Sequence, residues 1–208
     1  FYLPLGNDVR GIGYGRLELA PAETFRSAVD PRLKGVAFLG GLPDALADQA
    51  DAERLFLHEI GHRWGVYVHL GDGGDALLGR NCRHWSAFVD SGASPLEGHR
   101  WLPDGDAWRA EAPTAPLRYA PLTRYLMGLI PIERVPPIER LAVDAPPCTE
   151  PARIGVPNPR WTALRPGDAP WRVAAERIAH PADAVVAAEG PRAPAWPDAP
   201  TRWAVRFV

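Results

Sequence analysis

Lysine is almost missing from this chain: Lys34 stands alone among 23 lysines and arginines. Against 25 aspartates and glutamates this leaves a formal net charge of −2. There is no basic excess, which argues against nucleic acid or an anionic membrane as a partner. The near-exclusive use of arginine, together with abundant alanine and proline, reads as a coding bias and carries no function. Long apolar runs are missing too, and none reaches the ~20 residues needed to cross a bilayer. Cysteine is scarce, with Cys82 and Cys148 as the pair and no CxxC, which disfavours a thiolate zinc site. The two can form one disulfide or remain two buried thiols. The single methionine is Met127 and the chain opens at Phe1. The expectation is therefore a processed product or a fragment of a longer protein.

What remains is ordinary for a globular protein. The 208 residues, 46% hydrophobic and 23% charged, suffice for one domain with a sizeable core, and no linker interrupts residues 1–208. Apolar pieces separated by turn residues in "YLPLGNDVRGIGYG" predict a strand and a tight loop. Gly35 to Leu39 read as a buried strand closed by Gly40 and Gly41. A helix follows, capped by Asp48 or Asp51 and stopped by Gly65, with Leu55, Ile60 and Trp64 facing inward. "VYVHL" is either a short strand or a resumption of that helix. The Gly- and Asp-rich "GDGGDALLGRN" lacks the ligand spacing and closing glutamate of an EF-hand loop. Residues 84–118, dense in Gly, Pro and Trp, read as a long functional loop. Beyond it, residues 120–130 predict a short helix, "PIERVPPIERLAV" extended chain, "IAHPADAVVAAEGPRAP" a short helix stopped by Gly190, and "TRWAVRFV" a strand.

The chemistry concentrates in "FLHEIGHRWGVYVHL", residues 56–70. Residues four apart on a helix share a face, so His58 and His62 can aim two imidazole nitrogens at one point. Glu59 is turned by about 100° from His58 and can reach a water held there without binding the ion. H-E-x-x-H is the spacing of a zinc-activated hydrolase. Two ordinary half-buried histidines are the competing explanation, but they leave the Glu59 charge on a buried helix face unexplained.

Catalytic zinc takes a third protein ligand and keeps one open position. Gly65 fits one extended form of the motif, yet Val68 occupies its next ligand position and cannot bind a metal, and His69 is one residue late. If "VYVHL" is extended, that slip turns His69 to the opposite face. His84, 22 residues after His62 and beside Trp85, is the preferred third ligand. Asp90, Glu97 and His99 are alternatives, and His99 with Arg100 could instead meet a substrate or a developing oxyanion. Asp104 and Asp106 read as loop surface. Tyr125 and Met127 sit on an apolar element that is either a methionine turn with a tyrosine oxyanion donor, or simply core.

These residues resemble the zincin metalloproteases, through "HEIGH" on its helix and through Gly65. The wider text, in "NDVRGIG", "HEIGHRWGVYV", "HWSAFVDSGASPLEG", "PLTRYLMGLIP" and "VVAAEGPRAP", resembles a group of bacterial and archaeal proteins regarded as exported metallopeptidases. The resemblance implies an α+β, zincin-like fold, with an N-terminal mixed sheet backing the active-site helix and a loop-rich C-terminal part. It implies Zn2+ on His58 and His62, with Glu59 as base, and places the protein outside the cytoplasm. No glutamate stands where the thermolysin-like branch has its ligand, so the clan stays open. The expected activity is hydrolysis of peptide or protein substrates. Zinc on His58, His62 and His84 would lower the pKa of its water to about 7, Glu59 would take the proton, and Tyr125 or His99 would steady the oxyanion. The rival readings are a zinc hydrolase on a non-peptide amide or ester, and a non-catalytic zinc-binding or interaction module.

Overall fold

The computed structural model describes residues 14–16, 35–37, 49–79, 82–111, 114, 116–144, 148 and 169–202. The strand expected ahead of Tyr14 and the end of "TRWAVRFV" lie outside them. The chain groups into two compact units, Phe1–Arg63 with Arg202–Val208, and Trp64–Thr201.

In the first unit β1, Tyr14–Arg16, pairs antiparallel with β2, Gly35–Ala37. Helix α1, Gln49–Gly61, follows and runs close to β2. It ends four residues before Gly65. The His62 N–H still donates to the His58 carbonyl at 3.3 Å, while Arg63 already bonds back to Ile60 in a tighter turn.

The second unit is built on a six-stranded mixed sheet. Its strands are β3 Trp85–Asp90, β4 Glu97–Asp104, β5 Ala107–Glu111, β6 Ile138–Leu141, β7 Arg172–Val173 and β8 Arg177–His180. Their spatial order is β7-β5-β4-β3-β6-β8, with β3 and β4 parallel and every other pair antiparallel. Among the described residues of this unit are two short helices, α2 Pro121–Leu126 and α3 Asp183–Glu189, and α3 stops at Gly190. A 3-10 turn covers Ile132–Arg134. The protein is thus α+β with few helices. The six-stranded mixed sheet follows the motif helix in sequence, the described part of the chain ahead of that helix holds the β1–β2 pair, and the C-terminal third carries β6 to β8 and α3.

Residues 84–118 account for the difference. β3 is buried on both faces: Trp85 and Val89 join one apolar cluster with Val66, Leu77, Leu96, Leu122 and Tyr125, and Phe88 joins another with Trp101 and Leu141. A strand covered on both sides has no apolar/polar alternation to betray it. β4 and β5 form a hairpin whose ends, Asp104 and Ala107, are paired across the two-residue turn Gly105-Asp106, with Gly105 at φ 63°. Gly-Asp is a recognised hairpin signal, obscured here by the surrounding tryptophans and prolines. The buried indoles are satisfied: Trp85 Nε1 donates to Thr123 Oγ1 at 3.1 Å and Trp101 Nε1 to the Ala87 carbonyl at 3.2 Å.

"VYVHL" is neither strand nor helix. Val66, Val68 and Leu70 are nevertheless buried in alternation, with Tyr67 and His69 less buried between them.

Candidate metal centre

Helix α1 delivers the first two candidate ligands by its geometry alone. His58 Nε2 and His62 Nε2 are 3.2 Å apart, and the rings stand nearly perpendicular at 89°. Two nitrogens held at about 2.0–2.1 Å by one tetrahedral zinc ion lie about 3.3–3.4 Å apart. The observed spacing therefore fits an ion. It also suits a hydrogen bond between two neutral rings, so the pair needs a third donor before its chemistry is defined. Glu59, between them in sequence, is 3% exposed. A carboxylate is costly to bury in an apolar setting, and a polar site gives it a reason to be there.

His84 comes from the other kind of structure. It stands immediately before β3, 5% exposed, on a segment fixed from several sides. Its carbonyl accepts from the Gly79 N–H at 2.8 Å, and the neighbouring Arg83 carbonyl accepts from the Val66 N–H at 3.2 Å. Cys82, two residues earlier, forms a disulfide with Cys148, with the Cα atoms 5.0 Å apart. The open question between a bridge and two thiols is answered by that bond. Among the described residues, one group of His, Cys, Asp or Glu side chains numbers three or more and is close enough to hold a metal ion. It consists of His58, His62 and His84, with a ligand atom of each within 4.8 Å of the others.

The remaining candidates are engaged elsewhere. The His69 side chain is 42% exposed, and Glu189 Oε1 on α3 lies 2.7 Å from its Nδ1 and accepts its backbone N–H at 2.8 Å. Asp90 is paired with Arg177, its Oδ2 2.6 Å from Nη2. Burial pushes the Asp90 carboxyl upward, opposed by the Arg177 charge and by N–H groups of Gly92 and Trp101. His99 is fully buried; its Nδ1 lies 2.7 Å from the Ala87 carbonyl, and Trp101 and Trp171 meet its ring edge-on. Burial lowers its pKa, against the opposing pull of the Ala87 carbonyl and the Glu97 charge. Tyr125 belongs to the apolar cluster, and its hydroxyl accepts from the Arg192 N–H at 3.0 Å. Met127 is buried as well. In the Gly-rich loop Asp72 accepts from the Gly74 N–H and Asp75 from the Cys148 N–H, so these carboxylates serve the backbone. Asp104 and Asp106 both hold Arg172.

Two features escaped the sequence reading. Arg177 joins Asp90 and Glu139 while its guanidinium lies 4.7 Å from the centre of the Trp108 ring, a network closed by residues 87 and 38 positions apart in sequence from Arg177. Glu97, considered only as a ligand, stands 3.8 Å from His84 Nε2. Neither follows from local spacing.

No described helix is long and apolar enough to cross a membrane. The chain matches no protein-family model, no curated protein and no solved structure.

Proposed function

We propose that this chain is a zinc-dependent metallopeptidase. The observation that carries the reading is the three-histidine group, His58, His62 and His84, with the buried Glu59 on the same helix turn as the first two. Three imidazoles are the donor set of a catalytic zinc that keeps one position open, whereas structural zinc sites are closed by four protein ligands. Bound there, zinc would supply a Lewis acid that polarises a carbonyl and brings a water's pKa to about 7.

The chain's own residues account for the rest. Glu59 takes the proton as the water attacks and delivers it to the leaving amine, a role that suits a carboxylate beside the ligands and off the ion. Disulfide-anchored Cys82 and the Gly79 and Val66 hydrogen bonds hold the segment that carries His84. Tyr125 serves packing in this reading, because its hydroxyl is turned to the Arg192 backbone within the apolar cluster. The zincin-like character of the fold belongs to the same proposal and rests on the motif helix. The Cys82–Cys148 bridge supports an oxidising compartment outside the cytoplasm, where a secreted peptidase would meet peptide or protein substrates.

The test is turnover of casein and of a peptide library, alongside a panel of small amides and esters, by wild type and Glu59→Gln. The reading expects zinc-dependent peptide cleavage, abolished by chelator, and a Glu59→Gln variant that retains zinc and loses activity. A Glu59→Gln variant as active as wild type contradicts it. Cleavage confined to the small amides would favour the non-peptide hydrolase.

A further inference from the structure

Glu97 occupies a backbone conformation that L side chains rarely adopt, with φ 71°, and it does so with its side chain 13% exposed. The turn that puts it there is knitted by hydroxyl groups. After β3 the chain reverses through residues 91–96, so that Glu97 comes to pair with Trp85, the residue after His84. Ser91 Oγ donates to the Glu97 carbonyl at 2.8 Å and accepts from the Ser94 N–H at 3.1 Å, while the Glu97 N–H donates to the Ser94 carbonyl at 3.0 Å. Gly98 follows at φ 73°, and a Cβ there would fall 2.5 Å from Ser91 Oγ. The glycine is what lets the serine hydroxyl reach the Glu97 carbonyl. The turn therefore holds one acidic residue in an unfavourable conformation and delivers its carboxylate to within 3.8 Å of His84 Nε2.

We propose that Glu97 is the positioning residue for His84: its carboxylate fixes the tautomer and orientation of that imidazole so that the other ring nitrogen faces the metal. This rests on the metal reading above. A carboxylate beside one nitrogen of a ligating histidine holds the proton there, aims the ring and raises its basicity. The 3.8 Å separation is that of an ion pair, about 1 Å beyond a direct hydrogen bond. A small side-chain rotation closes it when His84 is drawn onto an ion. Glu97 is not a member of the three-residue group that can share a metal, which separates positioning from ligation. Backbone strain is retained where the surrounding structure over-determines it, and the three-serine-bond turn with its obligatory glycine is such a surround.

The experiment measures zinc affinity of the whole chain by chelator competition, the visible spectrum of the cobalt(II)-substituted protein, and the thermal midpoint of the metal-free protein. It compares wild type, Glu97→Gln and Ser91→Ala. Expected are one zinc per wild-type chain, a 10–100-fold weaker affinity in Glu97→Gln, altered cobalt bands and an unchanged metal-free midpoint. Ser91→Ala, which leaves the carboxylate intact but frees the turn, should weaken zinc by several-fold and carries the test if Glu97→Gln does not fold. Wild-type affinity and cobalt bands in the variants would overturn the inference while leaving the metal reading standing. A loss beyond about a thousandfold in Glu97→Gln would overturn it in favour of direct ligation, since outer partners contribute less than that. A wild-type chain that binds no zinc would remove the metal reading itself, and this inference with it.

Discussion

Helix α1 with the turn that ends it, and the strand pair β3–β4 with the residue that leads into it, each carry two buried histidines, for different reasons. His58 and His62 are neighbours because a helix repeats every 3.6 residues, and their nitrogens meet without help from the rest of the chain. His84 and His99 flank β3 and lie in β4, and both are more deeply buried than either helical histidine. One of the two belongs to the group that can share an ion. The other is walled by Trp101 and Trp171 and bonded to a backbone carbonyl. Burial therefore does not distinguish a candidate ligand from a histidine held by packing. What each ring nitrogen faces does, and in a sheet that is decided by which strands pair.

The comparison can be broken first at the helix. Glu59→Gln should lower kcat for peptide cleavage by about 10²–10⁴-fold, the usual contribution of a general base, with the zinc content unchanged. Steady-state kinetics together with elemental analysis check both halves. A variant that loses zinc as well would make Glu59 part of the coordination and blur the distinction between helix and sheet.

Next comes the anchor beside His84. Cys82 and Cys148 are 66 residues apart in sequence, and opening a loop of that length costs about 4 kcal/mol in the chain-entropy account. The double Cys82→Ser, Cys148→Ser variant should show that loss in urea unfolding, whereas the helical pair has no such tether. An unchanged midpoint would mean that the segment before β3 is held by its hydrogen bonds alone.

The structural histidine gives a smaller effect of a different kind. His99→Ala should cost about 2–4 kcal/mol, from a buried side chain removed and one of the two partners of the Ala87 carbonyl lost, Trp101 Nε1 remaining. Zinc affinity should stay at the wild-type level. The same residue gives a pH signature. Burial holds the folded His99 below the ordinary histidine range, so the folded chain keeps it neutral while the unfolded chain takes up a proton near pH 6.5. Stability from this group is complete above about pH 6.5 and is lost as pH falls toward the folded value. His180, lowered by burial and by Arg140, contributes in the same direction. Urea midpoints at pH 7.5 and 5.5 should differ less in His99→Ala than in wild type. The smallest effect belongs to His69→Ala, which removes an exposed pair with Glu189 and should cost under about 1 kcal/mol without touching zinc.

The helix was legible because its signals are local. The H-E-x-x-H spacing and the periodic apolar residues are read within four positions, and α1 forms over Gln49–Gly61. Helix α2 over Pro121–Leu126 and the stop of α3 at Gly190 were legible for the same reason. The sheet was not. β3 hides in "WSAFVD" because both faces are covered, and its parallel return to β4 depends on serine hydroxyls and two successive left-handed residues at 97 and 98. His84 could be chosen as a candidate from its place after the Gly-rich loop. Its neighbour Glu97 could not be given a role, because that role depends on the pairing of Trp85 with Glu97. His69 was legible in part: Val68 and Leu70 point inward, and the intervening residue must then point out.

The central claim is that His84 completes a metal set begun by the helix. The most direct measurement is the zinc content of the purified chain after equilibration and gel filtration, for wild type, His84→Ala and His99→Ala. The account predicts one zinc per chain in wild type and in His99→Ala, and loss of stoichiometric zinc in His84→Ala. Full zinc retention in His84→Ala, or none in wild type, would contradict it.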